Sequence, residues 1–415
     1  MTRAALPRLV VETREIDPVE DLLLHTAPNA PLVWQRRGDG FVGAGTRHTV
    51  ELQGPVADLS LGERWREFAA TAVVDDEVGL PGTGLVAFGA LAFDGAAASS
   101  TLVVPDRVIG RRGGRAWITR IRREDEDWPE PPSPRQYGPH WSATVGPGIQ
   151  SPERYQDAVR GALAAISGGE VSKVVMARDV VGTVPAGADL RRLVRALASD
   201  YPDTWAFAVA GLIGASPETL VTVHGGTVTA RVLAGTAARG ADPDADVAAA
   251  TALATSAKDQ DEHQFAVRSV LAALAPHTRV LAAGEQPFTL KLPNVWHLAT
   301  DVEGELADAA SALDLVAALH PTAAVAGTPT PAAMAVIRRL EAFDRGRYAG
   351  PVGWIDAHGD GEWAIALRCA QFGAPTADGI PLTAYAGAGI VTGSDPEAEL
   401  LETRVKLRPI IDALA

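Results

Sequence analysis

Residues 386–407 read AGAGIVTGSDPEAELLETRVKL, and this stretch carries most of the information about the fold. A glycine-rich strand end runs directly into a helix that carries Glu399, Glu402 and Lys406. Residues three and four apart on a helix share a face. Two carboxylates and an ammonium group therefore project from one surface of the predicted helix. Taken alone, such a trio is also typical of a solvated helix face.

A second predicted helix, SAKDQDEHQFAV (256–267), places Glu262 beside His263. Two separate helices that each direct carboxylates into one cleft are typical of a hard-cation site. Magnesium is usually held by a couple of carboxylates together with an anionic substrate. The sequence therefore predicts a magnesium enzyme that acts on a small carboxylic acid.

Turn signals separate most of the apolar runs. Gly38-Asp39-Gly40, His224-Gly225-Gly226 and Gly359-Asp360-Gly361 each lie between two strand-like segments, which is the pattern of β-hairpins. Hairpins outnumber strand–helix–strand units, so the pattern predicts an α+β fold of antiparallel sheets flanked by helices. Segment 205–212 is predicted to be one strand, and 61–73 one helix.

Two regions differ in pattern. Residues 1–150 are rich in short strands and are expected to form one edge of the same body as the rest. The segment 122–140 is charged and rich in proline, which predicts a surface loop or linker. Regular helix–strand patterning begins at Ser151, where Ser151 and Pro152 predict a helix start, and the catalytic region is placed at 151–415.

The bulk composition excludes several classes of protein. The net charge of −14 over 415 residues argues against a nucleic-acid partner. Cys369 is the only cysteine, the N-terminus lacks an apolar signal region, and no run of eighteen apolar residues occurs. We therefore expect a cytoplasmic protein without a membrane partner. A monomer is expected, because no exposed apolar face recurs.

Eight segments in order resemble the chorismate-utilising enzymes, a family of isochorismate, salicylate, anthranilate and aminodeoxychorismate synthases. They are SKVVMAR (172–178), ASPETL (215–220), AGTAARG (234–240), SAKDQDEH (256–263), HPTAAVAGTP (320–329), YAGPVGW (348–354), ALRCA (366–370) and AGAGIV…ETRVKL (386–407). The resemblance implies chorismate as the substrate, Mg²⁺ as the cofactor, and two antiparallel sheet layers around a central cleft with helices outside.

The resemblance also implies roles for individual residues. Glu262, Glu399 and Glu402 match the magnesium ligands. Arg368 and Tyr348 match the pair that holds the enolpyruvyl carboxylate, and a planar guanidinium suits a carboxylate because it donates two parallel hydrogen bonds. The remaining implied substrate contacts are Gly235, Thr236, His297, Ala324, Gly387 and Lys406.

Lys173 and Glu218 are the implied catalytic residues. Lys173 lies among apolar neighbours in a predicted strand, where loss of hydration lowers a lysine's pKa and a neutral amine can activate water. Glu218 resembles the general acid that protonates the departing C4 hydroxyl, a task favoured by a water-poor cleft. Outside this context, a snorkelling lysine and a turn carboxylate are the ordinary interpretations of such residues.

Further positions separate the subfamilies. The nitrogen-transferring members of the family have no lysine at the position of Lys173, so no glutaminase subunit is expected. Ala234 stands where aminodeoxychorismate synthases carry a nucleophilic lysine. Ala324 matches the isochorismate synthase pattern and replaces a threonine typical of salicylate synthases. His297 is interpreted either as lining the ring pocket or as a packed core histidine.

The sequence thus favours an isochorismate synthase, with menaquinone biosynthesis preferred to siderophore biosynthesis. The alternatives are a salicylate synthase and a chorismate-binding protein without turnover.

Overall fold

The computed structural model describes residues 8–95, 98–131, 133–291, 295–307 and 309–415. Its strands form two large sheets, named A and B, and its elements are numbered in chain order. Thirteen strands form sheet A: β1 (Leu9–Ile16), β2 (Leu32–Arg36), β3 (Asp39–Ala44), β5 (Val73–Asp76), β8 (Arg107–Arg112), β9 (Arg115–Arg123), β10 (Val145–Pro147), β11 (Lys173–Val184), β12 (Trp205–Val209), β13 (Leu212–Ser216), β19 (Gly327–Thr328), β22 (Cys369–Phe372) and β23 (Ile380–Ile390). The order is β10-β11-β23-β22-β13-β12-β2-β3-β8-β9-β1-β5, with β19 beside β11.

Sheet B has ten described strands: β4 (His48–Leu52), β6 (Val86–Ala90), β7 (Ser100–Val104), β14 (Thr219–His224), β15 (Thr227–Ala238), β16 (Thr278–Ala283), β17 (Phe288–Lys291), β18 (Val295–Leu306), β20 (Pro351–Asp356) and β21 (Gly361–Ile365). Their order is β16-β18-β15-β14-β21-β20-β6-β7-β4, with β17 beside β18. Hairpin turns join β2 to β3, β14 to β15 and β20 to β21 at the predicted positions. The predicted antiparallel sheets are confirmed, with β1–β5 as a parallel pair in sheet A.

Eight α-helices occur among the described residues: α1 (Leu61–Ala69), α2 (Pro152–Ser167), α3 (Arg191–Asp200), α4 (Pro243–Thr255), α5 (Ala257–Leu274), α6 (Ala312–Leu319), α7 (Thr330–Leu340) and α8 (Pro396–Leu414). Short 3-10 helices cover Leu22–His25, Val56–Asp58 and Ala275–His277. The hydroxyl of Ser151 accepts from the Arg154 amide at the start of α2, as the N-cap predicts. None of the described helices combines the length and apolar character needed to cross a bilayer.

Two element predictions were wrong at their boundaries. Segment 205–212 contains two strands, because the chain reverses at Ala210-Gly211, where both residues have positive φ. The helix predicted for 61–73 ends at Ala69, and Val73 begins β5, which pairs with β1. Pairing with β1 outweighs the helical preference of this short segment.

The main core lies between the two sheets, and alternate residues of each strand decide which face is buried there. Trp34 on β2 faces this core and donates a 2.8 Å hydrogen bond from its indole nitrogen to Glu362 on β21. Its neighbour Val33 faces a second apolar cluster, on the other side of sheet A. There α3 and α8 supply Leu193, Leu407 and other residues of the cluster, so helices cover the outer face of sheet A.

Strands from residues 1–150 are built into both sheets. β2 pairs with β12 in sheet A, and β6 pairs with β20 in sheet B. The proline-rich segment after β9 runs along the surface, where the amide of Arg135 donates to the carbonyl of Leu24 and the indole of Trp141 donates to Asp189. We propose on this basis that residues 1–150 form one edge of a single body with 151–415.

Candidate active site

Two of the points at which the chain crosses between the two sheets are neighbours. β13 of sheet A leads through Glu218 into β14 of sheet B, and β21 of sheet B leads through Arg368 into β22 of sheet A. The amide of Ile365 donates to the Glu218 carbonyl at 3.0 Å, and the amide of Ala215 donates to the Arg368 carbonyl at 3.1 Å. These bonds hold the two crossovers side by side, so Glu218 and Arg368 face the same space.

Arg368 immediately precedes β22, which begins at Cys369. Arg368 itself has φ = 49°, in the left-handed region that costs an L-residue about 1 kcal/mol or more. The backbone turn redirects its side chain from the sheet towards the gap between the sheets. Cys369 is fully buried in the core.

All thirteen residues singled out from the sequence line one cavity of about 450 Å³: Lys173, Glu218, Gly235, Thr236, Glu262, His297, Ala324, Tyr348, Arg368, Gly387, Glu399, Glu402 and Lys406. They come from β11, the two crossovers, β15, β18, α5, α8 and β23, and from the segments before β19 (Ala324) and before β20 (Tyr348). Side chains scattered over more than 230 positions of the sequence therefore converge at one place.

Lys173 begins β11 and is half-buried in the cavity wall. Its ammonium donates to Glu262 on α5, with 2.5 Å between Nζ and Oε1, an ion pair that the sequence analysis did not anticipate. Gly389 on the neighbouring strand β23 makes room for this lysine: a methyl group added there would lie 3.0 Å from Lys173 Cε. The lysine is thus held between α5 and a position of β23 that has no side chain.

The hydrogen bonds of His263 fix the part of α5 that carries Glu262 beside the cavity. Its imidazole is buried and makes hydrogen bonds at both nitrogens, Nδ1 to the Ala234 carbonyl at 3.1 Å and Nε2 to the Thr300 hydroxyl at 2.7 Å. Because a carbonyl only accepts, Nδ1 carries the proton and Nε2 accepts from the hydroxyl. The histidine therefore anchors α5 to β15 and β18 one residue after Glu262.

Glu218 is almost fully buried, with 8% of its surface exposed. Burial raises the pKa of its carboxyl to about 7, although the nearby cations Lys173, Lys406 and Arg368 act in the opposite direction. No described residue donates a hydrogen bond to this carboxyl. A substantial fraction of Glu218 is therefore protonated near neutral pH, as a general acid requires.

Arg368 and Tyr348 form a site with unused donors. No described residue accepts a hydrogen bond from the Arg368 guanidinium or from the Tyr348 hydroxyl. Burial lowers the pKa of Arg368, which nevertheless stays charged, and raises the pKa of Tyr348, which stays neutral. Tyr348 stacks on Tyr385 with ring centroids 5.1 Å apart. A fixed phenol beside a free guanidinium offers hydrogen bonds to one carboxylate.

His297 on β18 lines the cavity. Its Nδ1 lies 2.9 Å from the Thr236 hydroxyl. Burial lowers the pKa of His297 to about 3, with Arg368 and Lys406 acting in the same direction, so the imidazole is neutral at physiological pH. Gly235 has φ = 82° at an irregularity in the pairing of β15 with β18, and a residue at such a bulge is left out of the ladder.

The α8 face carries Glu399, Glu402 and Lys406 into the cavity as predicted. Lys406 donates to the Gly387 carbonyl at 3.0 Å and pairs with Glu402 at 2.5 Å. Across the described residues, no three potential metal ligands lie close enough together to form a ready-made metal site. Magnesium does not require one, because one or two carboxylates and the substrate's own oxygens suffice. Glu262, Glu399 and Glu402 line the cavity, so carboxylate oxygens are present there for such a cation.

The balance of charge supports the same conclusion. The described lining carries four basic side chains, Lys173, Arg345, Arg368 and Lys406, and six carboxyl groups, Glu218, Asp259, Glu262, Asp395, Glu399 and Glu402. An excess of carboxylates repels a dicarboxylate substrate, since like charges in a partly buried site interact strongly. A divalent cation bound among the glutamates would remove that repulsion.

Sequence reasoning missed Arg345, which also lines the cavity. Its guanidinium forms a buried pair with Glu341 at 2.6 Å and donates to the carbonyls of Val175 and Val325. Glu341 in turn accepts from the Ala177 amide at 2.7 Å. The spacing of four between Glu341 and Arg345 was the available signal, but α7 ends before Glu341, so the pair is not a helix-face pair.

Comparison with known proteins gives a consistent result. The family model described as chorismate binding enzyme matches residues 115–415. A Mycobacterium tuberculosis protein provisionally named isochorismate synthase MenF is 41% identical over 348 residues, covering 80% of this chain and 87% of that protein. Isochorismate synthase DhbC of Bacillus subtilis is 42% identical over 278 residues, covering 64% of this chain and 69% of that protein.

A solved structure is also similar over nearly the whole chain. The Escherichia coli protein MenF, described as the menaquinone-specific isochorismate synthase, superimposes with a TM-score of 0.78 at 25% identity. The match covers 98% of this chain and 95% of that one. Together with the two-sheet fold and the converging site, these similarities show that the chain belongs to the chorismate-binding enzyme family.

Proposed function

We propose that this protein is an isochorismate synthase, which isomerises chorismate to isochorismate. The observation that supports this most directly is that Lys173 and Glu218 line the same cavity. The reaction needs a base that activates water and an acid that protonates a leaving hydroxyl. A lysine and a largely buried carboxyl on one cavity supply these two groups.

Lys173 is the proposed base. A neutral amine at Nζ takes a proton from water as the water oxygen bonds to C2 of the ring. The lysine needs a free electron pair for this step, so its contact with Glu262 has to open before the water is activated. Gly389 leaves space for the side chain to move.

Glu218 is the proposed acid. As the new bond forms at C2, the two ring double bonds shift, the bond between C4 and its oxygen breaks, and Glu218 protonates the departing oxygen to give water. The raised pKa of about 7 keeps a proton available at this carboxyl. Base and acid thus act at two different carbons of a substrate that is held in position.

The other cavity residues hold the substrate. Arg368 and Tyr348 have unused donors for the enolpyruvyl carboxylate, and a guanidinium–carboxylate contact can be bidentate. The neutral His297, with Thr236 and Gly235, lines the ring pocket. Lys406 orients Gly387 through its hydrogen bond to the Gly387 carbonyl.

Magnesium is the proposed cofactor, with Glu262, Glu399 and Glu402 as the residues that would hold it. When bound, it would neutralise the ring carboxylate of chorismate and fix its position. The carboxylate excess of the described lining favours a divalent cation at this place.

The finer assignment rests on two alanines and on the relatives. Ala324 on the cavity wall leaves no hydroxyl at the position where salicylate synthases carry threonine, and Ala234 provides no amine nucleophile. We assign the protein to menaquinone biosynthesis in the cytoplasm, acting without a glutaminase subunit, on its similarity to the MenF proteins. Siderophore biosynthesis is the competing assignment, because isochorismate feeds both pathways.

Oxygen-18 water tests the mechanism. In labelled water, each new isochorismate should carry one solvent oxygen at C2, and the C4 oxygen of chorismate should be lost. Mass spectrometry of the product measures this label. Isochorismate without solvent oxygen would refute water activation by Lys173, and the Lys173→Met variant should form no labelled product.

A further inference from the structure

A second cavity, of about 280 Å³, lies behind the proposed acid. It is enclosed by β14, β15, α5, the end of α6 and the segment that follows α6. Two residues, Glu218 and Ala324, line both this cavity and the substrate cavity. They therefore form a partition between the two spaces.

The second cavity reaches solvent at its other end. Ser269 on α5 and Ala318 on α6 line it and are exposed at the surface. Glu218 is thus approached from two directions, from the substrate cavity and from this separate opening. A substrate bound in the first cavity blocks only the first approach.

Two polar side chains, His320 and Thr322, lie in the wall of the second cavity. His320 lines it and is buried, with 7% of its surface exposed. Its Nε2 donates to the Phe93 carbonyl at 2.9 Å, so Nδ1 is the bare acceptor, and Nδ1 has no partner. The buried hydroxyl of Thr322 also has no partner. Both atoms are almost inaccessible, so the opening of the cavity to solvent and its contact with Glu218 are the features that matter.

We propose that this second cavity is a water port for Glu218, through which the water formed at C4 leaves and a proton returns while the ring is still bound. The inference rests on the proposed function, because that water arises only if chorismate is isomerised. His320 and Thr322 lie in the wall of this port and do not line the substrate cavity.

The proposed reaction requires such an exchange. Each turnover leaves Lys173 with one more proton and Glu218 with one fewer, and the departing C4 oxygen becomes a water molecule next to Glu218. Solvent must accept one proton from Lys173 and supply one to Glu218, so the net number of protons exchanged with solvent is zero. A port on the Glu218 side lets water leave without crossing the bound ring.

Exchange of the C4 oxygen during a reversible turnover tests the port. The isomerisation breaks one C–O bond and forms another in either direction. Bound isochorismate can therefore revert to chorismate. If the C4 water has left through the port, the reverted chorismate acquires oxygen-18 from labelled solvent at C4. If the C4 water is trapped, the reverted chorismate regains its original oxygen. The measured quantity is labelled chorismate per isochorismate released, at low conversion.

Two substitutions on α5 form a matched pair. Ala273 lines the second cavity, whereas its neighbour Ala272 is exposed on the same helix. Ala273→Phe should lower the labelling ratio several-fold without a change in KM for chorismate, and Ala272→Phe should leave the ratio unchanged. Because the ratio is normalised to product, a smaller amount of active enzyme does not alter it.

The outcomes separate the port from the proposed function. An unchanged ratio in Ala273→Phe, or an unlabelled chorismate pool in the wild-type protein, would overturn the port. Absence of isochorismate in the wild-type protein would instead overturn the proposed function. If Ala273→Phe does not fold, Ser269→Phe at the exposed mouth provides the same test.

Discussion

At the scale of single residues, one glycine decides the position of the proposed base. A methyl group on Gly389 would lie 3.0 Å from Lys173 Cε, close enough to displace a flexible side chain. Gly389→Ala should therefore lower kcat for isochorismate formation with little change in the melting temperature. Gly146→Ala on β10 is the control, since its added methyl group meets no atom within 4 Å. Equal activity of both variants would show that Lys173 does not need this space.

Glu218 sets the expected pH dependence. Its carboxyl must be protonated to act as an acid, and burial raises its pKa to about 7. The protonated fraction of Glu218 falls as pH rises through that value, so kcat/KM for chorismate should decline above about pH 7. Titration of Glu218 should cause no decline below about pH 7. Glu218→Gln cannot donate a carboxylic proton and should be inactive at every pH. A pH–rate profile of the wild-type enzyme that is flat from pH 6 to 9, a range chosen to bracket that pKa, would exclude this role.

Much of the site could be predicted from the sequence, because its residues lie in short segments with distinctive spacing. The three charged residues of α8 and Glu262 on α5 line the predicted cleft. The pairing of Lys173 with Glu262 could not be predicted, since it joins residues 89 positions apart. Nor could the free guanidinium of Arg368, which depends on a left-handed backbone at a crossover between sheets.

At the scale of elements, α8 presents its carboxylates on one face, and a single substitution can test their function. Glu402→Gln should raise the magnesium concentration needed for half-maximal activity and weaken magnesium binding measured by calorimetry. The physical reason is the loss of one anionic oxygen donor from the proposed site. Glu397→Gln, on the exposed first turn of the same helix, is the matched control. Magnesium binding that is equally strong in both variants would remove Glu402 from the metal site.

The segment after α7 depends on a buried ion pair. Arg345 and Glu341 are both almost inaccessible to solvent, and they tie this segment to β11. Arg345→Met should lower the free energy of unfolding by about 3–5 kcal/mol, because it leaves Glu341 as an uncompensated buried charge. Arg339→Met, which breaks the exposed pair with Glu170, should cost at most about 1 kcal/mol. Urea denaturation of both variants compares these values, and similar costs would contradict the account.

Local sequence patterns predicted whether a segment is a helix or a strand more reliably than they predicted the residue at which it ends. The helix α2 and the three hairpin turns lie where their caps and glycines predict them. The reversal at Ala210-Gly211 was missed because alanine gives no turn signal, although it adopts φ = 49° there. Tertiary pairing of β13 with β22 stabilises this turn and decides where the strand ends.

At the scale of the whole molecule, the architecture explains how distant segments form one site. Two sheets face each other across a shared core, and the chain crosses between them where Glu218 and Arg368 lie. Helices α5 and α8 add the carboxylates from either side. The positions of residues 1–150 in both sheets depend on pairings between distant strands, which hydrophobic patterning does not specify.

The most direct test of the central claim is to identify the product. Purified protein incubated with chorismate and magnesium, without ammonia, should form isochorismate as the sole new compound by chromatography coupled to mass spectrometry. Salicylate and pyruvate as the main products would contradict the assignment and place the enzyme with the salicylate synthases. Bound chorismate that is recovered unchanged would contradict catalysis itself.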